Sequence, residues 1–74
     1  MTATRVLVVE DDARAAEAHA AYVGRLEGFE LAGTARSAGE ALRALDRCRA
    51  DGEPVDLLLL DLHLPDGHGL GLLQ

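Results

Sequence analysis

The stretch Arg5-Val6-Leu7-Val8-Val9-Glu10-Asp11-Asp12 sets four apolar, mostly β-branched residues directly before three acids. Unbroken apolarity over a strand's length marks a strand buried on both faces, which is the habit of parallel sheets. A single such run does not define a fold. A second one does: Val55-Asp56-Leu57-Leu58-Leu59-Leu60 is again nearly all apolar and again closes on an acid, Asp61.

Between and around these runs the pattern changes to helical spacing. Residues 13–27 carry Ala16, Ala20, Val23 and Leu26 at intervals of four, three and three, with Asp12 placed as an N-cap and Gly28 as a stop. Phe29 to Ala35 alternates Phe29 and Leu31 against Glu30 and Ala32, a half-polar strand suited to a sheet edge. Ser37-Ala38-Gly39-Glu40 is a capping box, in which the hydroxyl accepts from the third helical amide and the carboxylate reaches back. Leu42, Leu45 and Cys48 (or Arg49) carry the second helix to about Ala50, and Asp51-Gly52-Glu53-Pro54 closes it. After Pro65-Asp66-Gly67 a third helical pattern begins at Leu70, Leu72 and Leu73. Strands alternating with helices predict an α/β domain with a parallel sheet.

Composition narrows the function. The 74 residues suit one small domain, without internal repeats or linkers. A net charge of −6 argues against this stretch gripping nucleic acid or an anionic membrane. All seven basic residues are arginines, so there is no lysine for a Walker A loop, a Schiff base or a lysine general base. One cysteine, Cys48, makes neither an internal disulfide nor a cysteine zinc site, and no apolar run reaches membrane-spanning length. The expectation is a soluble, reduced, cytoplasmic chain.

The acids carry the chemistry. Parallel strands bring their C-terminal ends to one rim. If the first and third strands are neighbours, with the second outside, Glu10, Asp11 and Asp61 converge where the strand order reverses, the place where open α/β sheets bind ligands. Carboxylates that close together call for a raised pKa or a bound cation, and few, hard, water-exposed oxygen donors suit Mg2+. The competing reading, that such acids only cap the next helix, fits Asp12. It does not fit Asp61, which is too far from the helix after Gly67 to cap it.

Residues Val6 to Asp12 and Val55-Asp56-Leu57-Leu58-Leu59-Leu60-Asp61-Leu62-His63-Leu64-Pro65-Asp66-Gly67-His68-Gly69 resemble the receiver domains of two-component response regulators. Glu17-Ala18-His19, Tyr22, Gly28-Phe29 and Leu64-Pro65-Asp66-Gly67 look like the subgroup that answers sensors of citrate and other di- or tricarboxylates. The resemblance implies a flavodoxin-like doubly wound parallel sheet, truncated here to β-α-β-α-β plus the start of a third helix, with strand order 2-1-3. Residues 1–74 would then be the N-terminal part of an incomplete receiver domain. It also implies that Asp61 is the phosphoacceptor, taking a phosphoryl group from a sensor histidine kinase. Asp11 would bind Mg2+ directly, Glu10 through water, Asp61 by a further oxygen and His63 by its backbone carbonyl. Pro65 and Gly67 would shape the loop beneath. DNA binding would belong to an output domain outside this stretch, and the chain would be a signalling module rather than a free-standing enzyme.

Two departures follow. A receiver's later strands carry a hydroxyl residue and a lysine, and neither strand occurs in these residues. The third strand would then be an exposed apolar edge inviting self-association. The alternative function is an aspartyl-phosphate phosphatase-like hydrolase, which usually wants a second acid two residues after the nucleophile; here that position is His63. Weaker signals have plainer readings: His63, Asp66 and His68 lack a defined metal spacing, and the alternating Gly67, Gly69 and Gly71 fit a tight helix start. His19 suits a packed or surface position, Cys48 inert packing, and Arg43, Arg47 and Arg49 with Asp46 a solvated helix face.

Overall fold

The structure, a computed structural model, describes residues 3–60. Asp61, His63, Pro65, Asp66, Gly67, His68 and the expected third helix start lie outside the described residues. The elements run β1 (Thr4–Val9), α1 (Ala13–Arg25), β2 (Phe29–Ala35), α2 (Ala38–Ala50) and β3 (Leu57–Leu60). β1 pairs in parallel with both neighbours, giving the order β2-β1-β3. The α/β architecture is the one the sequence pattern predicts, and the strand order is the one the receiver-domain resemblance implies.

β1 is central, paired on both edges, and its apolar run serves both faces. Val6 and Val8 pack with Val23 of α1, while Leu7 and Val9 pack with Ala35, Ala41 and Ala44 on the α2 side. Successive strand side chains alternate between faces, so one run feeds two cores and the helices lie on opposite sides of the sheet. Val8 and Val9 are fully buried, each worth about 1.5–3 kcal/mol relative to exposure.

The helix termini follow from their capping residues. The Asp12 carboxylate accepts from the Arg14 amide at 2.9 Å, as an N-cap should. Helix α1 stops at Arg25, two residues before the expected end, because Leu26 turns extended and donates its amide to the Val23 carbonyl. Gly28 then takes φ +83°, a conformation glycine adopts without strain. At the end of α2 the Glu53 amide reaches the Cys48 carbonyl and the Gly52 amide that of Arg49, with Gly52 at φ +78°: a Schellman motif.

Two expectations are corrected, the inward face of α2 and the start of the third strand, while the capping box is borne out and its return partner identified. Leu42 is 52% exposed, and the buried face of α2 is Ala41 and Ala44, flanked by Ala38 and Leu45. Small side chains let the helix axis approach Leu7 and Val9, so size at the contact, rather than hydrophobicity alone, sets which face turns inward. The Glu40 carboxylate passes over the Ser37 amide and accepts from that of Arg36 at 3.2 Å, while Ser37 Oγ accepts from Glu40 N at 3.1 Å. The third strand begins at Leu57 instead of Val55. There the Arg5 amide is taken by the Asp56 carboxylate at 2.9 Å, so the ladder becomes regular only one residue later.

The edge strand β2 carries a bulge: Val6 pairs with Leu31 but Leu7 with Gly33, leaving Ala32 extra. Bulges blunt an exposed edge. Among the described residues no helix is long and apolar enough to cross a membrane.

Candidate functional site

The chain runs from β1 to β2 on one side of the sheet and later lays β3 on the other side of β1. The reversal of strand order opens a crevice at the C-terminal ends of β1 and β3. Register makes this concrete. Val9 is abreast of Leu60, so the residue before Glu10 stands beside the residue before Asp61. Asp61 and His63 themselves lie outside the described residues, so the described part of the site is the acidic loop 10–12 and what surrounds it.

Each residue of that loop is held differently. The Glu10 amide donates to the Ala35 carbonyl at 2.9 Å, extending the β1–β2 contact one step past the strands. The Glu10 carboxylate is mostly covered: Oε2 accepts from the Asp12 amide at 3.3 Å, and Oε1 lies 3.9 Å from His19 Nε2. Asp11 is exposed, and its carbonyl accepts from the Arg36 guanidinium at 3.5 Å. Asp12 is turned away into α1, where its carboxylate caps and its carbonyl accepts from Ala16.

Loop 10–12 thus offers one mostly covered and one open carboxylate. All-oxygen donors facing water fit Mg2+, which keeps several waters and takes one or two carboxylates. Among the described residues no group of three or more His, Cys, Asp or Glu side chains could hold a metal ion, so Glu10 and Asp11 do not complete a site by themselves. The donor set fits; a further ligand has to come from outside the described residues.

Two neighbours of the loop were not assigned a role in the sequence. His19 is on the surface, as expected for it, but its ring lies toward Glu10 and lines with it a hollow of about 240 Å³ floored by Val9, Leu59 and Leu60. Arg36 follows β2 as Glu10 follows β1, and the pairing of Val9 with Ala35 makes those positions neighbours. The register of two parallel strands is the signal that finds it. At the opposite end of the sheet Arg5 donates to Glu30 at 2.7 Å and to the Glu53 carbonyl at 3.2 Å. The Glu30 hydrogen bond, with lesser help from Cys48 and Glu53, holds its guanidinium above the ordinary value. This pairing joins β1, β2 and the entry to β3, far from the acidic crevice.

An open parallel sheet with acids at its C-terminal rim is the frame of a ligand-binding α/β domain. The chain is similar to transcriptional regulatory proteins. It is 38% identical to DcuR of Shigella flexneri, 40% to MalR of Bacillus subtilis and 44% to AruR of Pseudomonas aeruginosa, each over 68 residues, or 92% of this chain. The chain spans only about a quarter of the length of these relatives (27% in each case). No family model matches it, and no solved structure matches it significantly. Similarity to these transcriptional regulatory proteins over nearly the whole chain is consistent with a response-regulator receiver domain.

Proposed function

We propose that this chain is the phosphoacceptor part of a response regulator, with Asp61 receiving a phosphoryl group from a sensor histidine kinase. The supporting observation is the parallel register that sets Val9 beside Leu60, with Glu10-Asp11 following one strand and Asp61 the other. A carboxylate oxygen of Asp61 would attack phosphorus as the P–N bond to the kinase imidazole breaks. The imidazole leaves, and an acyl phosphate remains. Glu10, Asp11, Asp61 and the His63 carbonyl would hold Mg2+, whose charge offsets the repulsion between an anionic nucleophile and an anionic donor.

On this reading, residues 1–74 are the N-terminal part of the receiver domain, in a cytoplasmic protein whose output segment binds DNA and regulates transcription. The relatives are transcriptional regulatory proteins, and that supports it. The reading as a regulator answering a citrate or dicarboxylate sensor rests on Glu17-Ala18-His19, Tyr22 and Gly28-Phe29, together with similarity to DcuR, MalR and CitT.

The test is to incubate the intact protein with acetyl phosphate and Mg2+. A stoichiometric, acid-stable, base-labile label is expected, and Asp61→Asn should abolish it. A label that survives Asp61→Asn refutes the assignment. Turnover of many equivalents of phosphodonor would instead mark an aspartyl-phosphate hydrolase.

A further inference from the structure

Arg36 links two features that are far apart in sequence. Its guanidinium donates to the Asp11 main-chain oxygen at 3.5 Å, while its own amide donates to Glu40 Oε1 at 3.2 Å. Glu40 is in turn fixed by its amide, which donates to Ser37 Oγ at 3.1 Å. The cap of α2 therefore runs through Arg36 into the acidic loop. Within that loop the Glu10 amide is tied to Ala35 and the Asp12 carbonyl to α1, both by main-chain bonds. Asp11 stands between them, its carbonyl held by a side chain.

We propose that Arg36 is a positioning residue for Asp11, holding the acidic loop in its cation-binding form and leaving the Asp11 carboxylate for the ligand. The inference rests on the proposed function, since it takes Asp11 to be a Mg2+ ligand. Partners that orient a metal ligand from outside the coordination shell contribute measurably to metal affinity, although they touch no metal. A guanidinium suits the role because it spans the gap between two loops and donates along a fixed plane.

Charge alone gives the opposite expectation. A cation beside a cation site repels the ligand, so its removal should tighten binding. This makes the sign of the effect decisive.

The experiment is Mn2+ binding to the intact, unphosphorylated protein, followed by electron paramagnetic resonance, with thermal unfolding recorded alongside. Arg36→Ala should weaken Mn2+ binding by roughly tenfold, the low end for outer-shell partners. Arg36→Lys should recover at least half of that loss. If Arg36→Ala does not fold, the Glu40 pair tests the same link. Glu40→Gln keeps an acceptor for the Arg36 amide and should leave affinity unchanged, whereas Glu40→Ala should weaken it. Unchanged or tighter binding in Arg36→Ala, or no recovery with lysine, overturns the proposal. Asp11→Asn is the control for the reading beneath it. If Asp11→Asn binds Mn2+ normally, the metal assignment itself fails; if it abolishes binding while Arg36→Ala does not, only the role of Arg36 falls.

Discussion

Val6, Leu7, Val8 and Val9 serve two cores at once, so each is buried against a different helix from the next. Leu7 is 1% exposed, and truncating it removes packing that the neighbouring small alanines of α2 cannot replace. Leu7→Ala should cost about 2–5 kcal/mol, enough to unfold a domain of this size by circular dichroism at ambient temperature. The α2 face offers a sharper contrast. Ala41 is fully buried and Leu42, its neighbour in sequence, is half exposed. Ala41→Glu should abolish folding, since it buries an unpaired charge, whereas Leu42→Glu should leave the urea midpoint nearly unchanged. If Leu42→Glu unfolds the protein instead, the assigned face of α2 is wrong.

At the scale of elements, short helices depend on their ends. Helix α2 has its Ser37 hydroxyl and Glu40 carboxylate at one end and the Gly52 turn at the other. Ser37→Ala should destabilise by about 1 kcal/mol. Gly52→Ala should cost about 1 kcal/mol as well, entirely from the left-handed backbone, because an added methyl at Gly52 would meet nothing within 4 Å. Both values are read from chemical denaturation of the single variants. The capping box was legible in the sequence, since Ser37 and Glu40 have the required spacing. The partner of its return bond was not. Which upstream amide a flexible carboxylate reaches depends on how β2 enters the helix, and that geometry brings the Arg36 amide within range.

At the scale of the molecule, Tyr22 of α1 and Phe29, Leu57 and Leu59 of the sheet remain exposed around an apolar hollow completed by Val6, Val23 and Leu26. Contiguous exposed apolar surface favours association. The peptide 1–74 produced alone is therefore expected to self-associate in light scattering behind size exclusion, and Leu57→Lys with Leu59→Lys to reduce it; a monodisperse monomer at micromolar concentration would contradict this. The sequence by itself determined the element order, the two-faced burial of β1, the N-cap at Asp12 and the acids closing two apolar runs. Each is written in local periodicity or a cap's short reach, which need no distant partner. Only the tertiary structure decided that β1 and β3 run abreast with Val9 beside Leu60, that alanines rather than Leu42 face the sheet, and that Arg36 leans on Asp11. Those outcomes depend on strand register and on how closely a helix approaches the sheet, quantities set by residues many positions apart packing against one another.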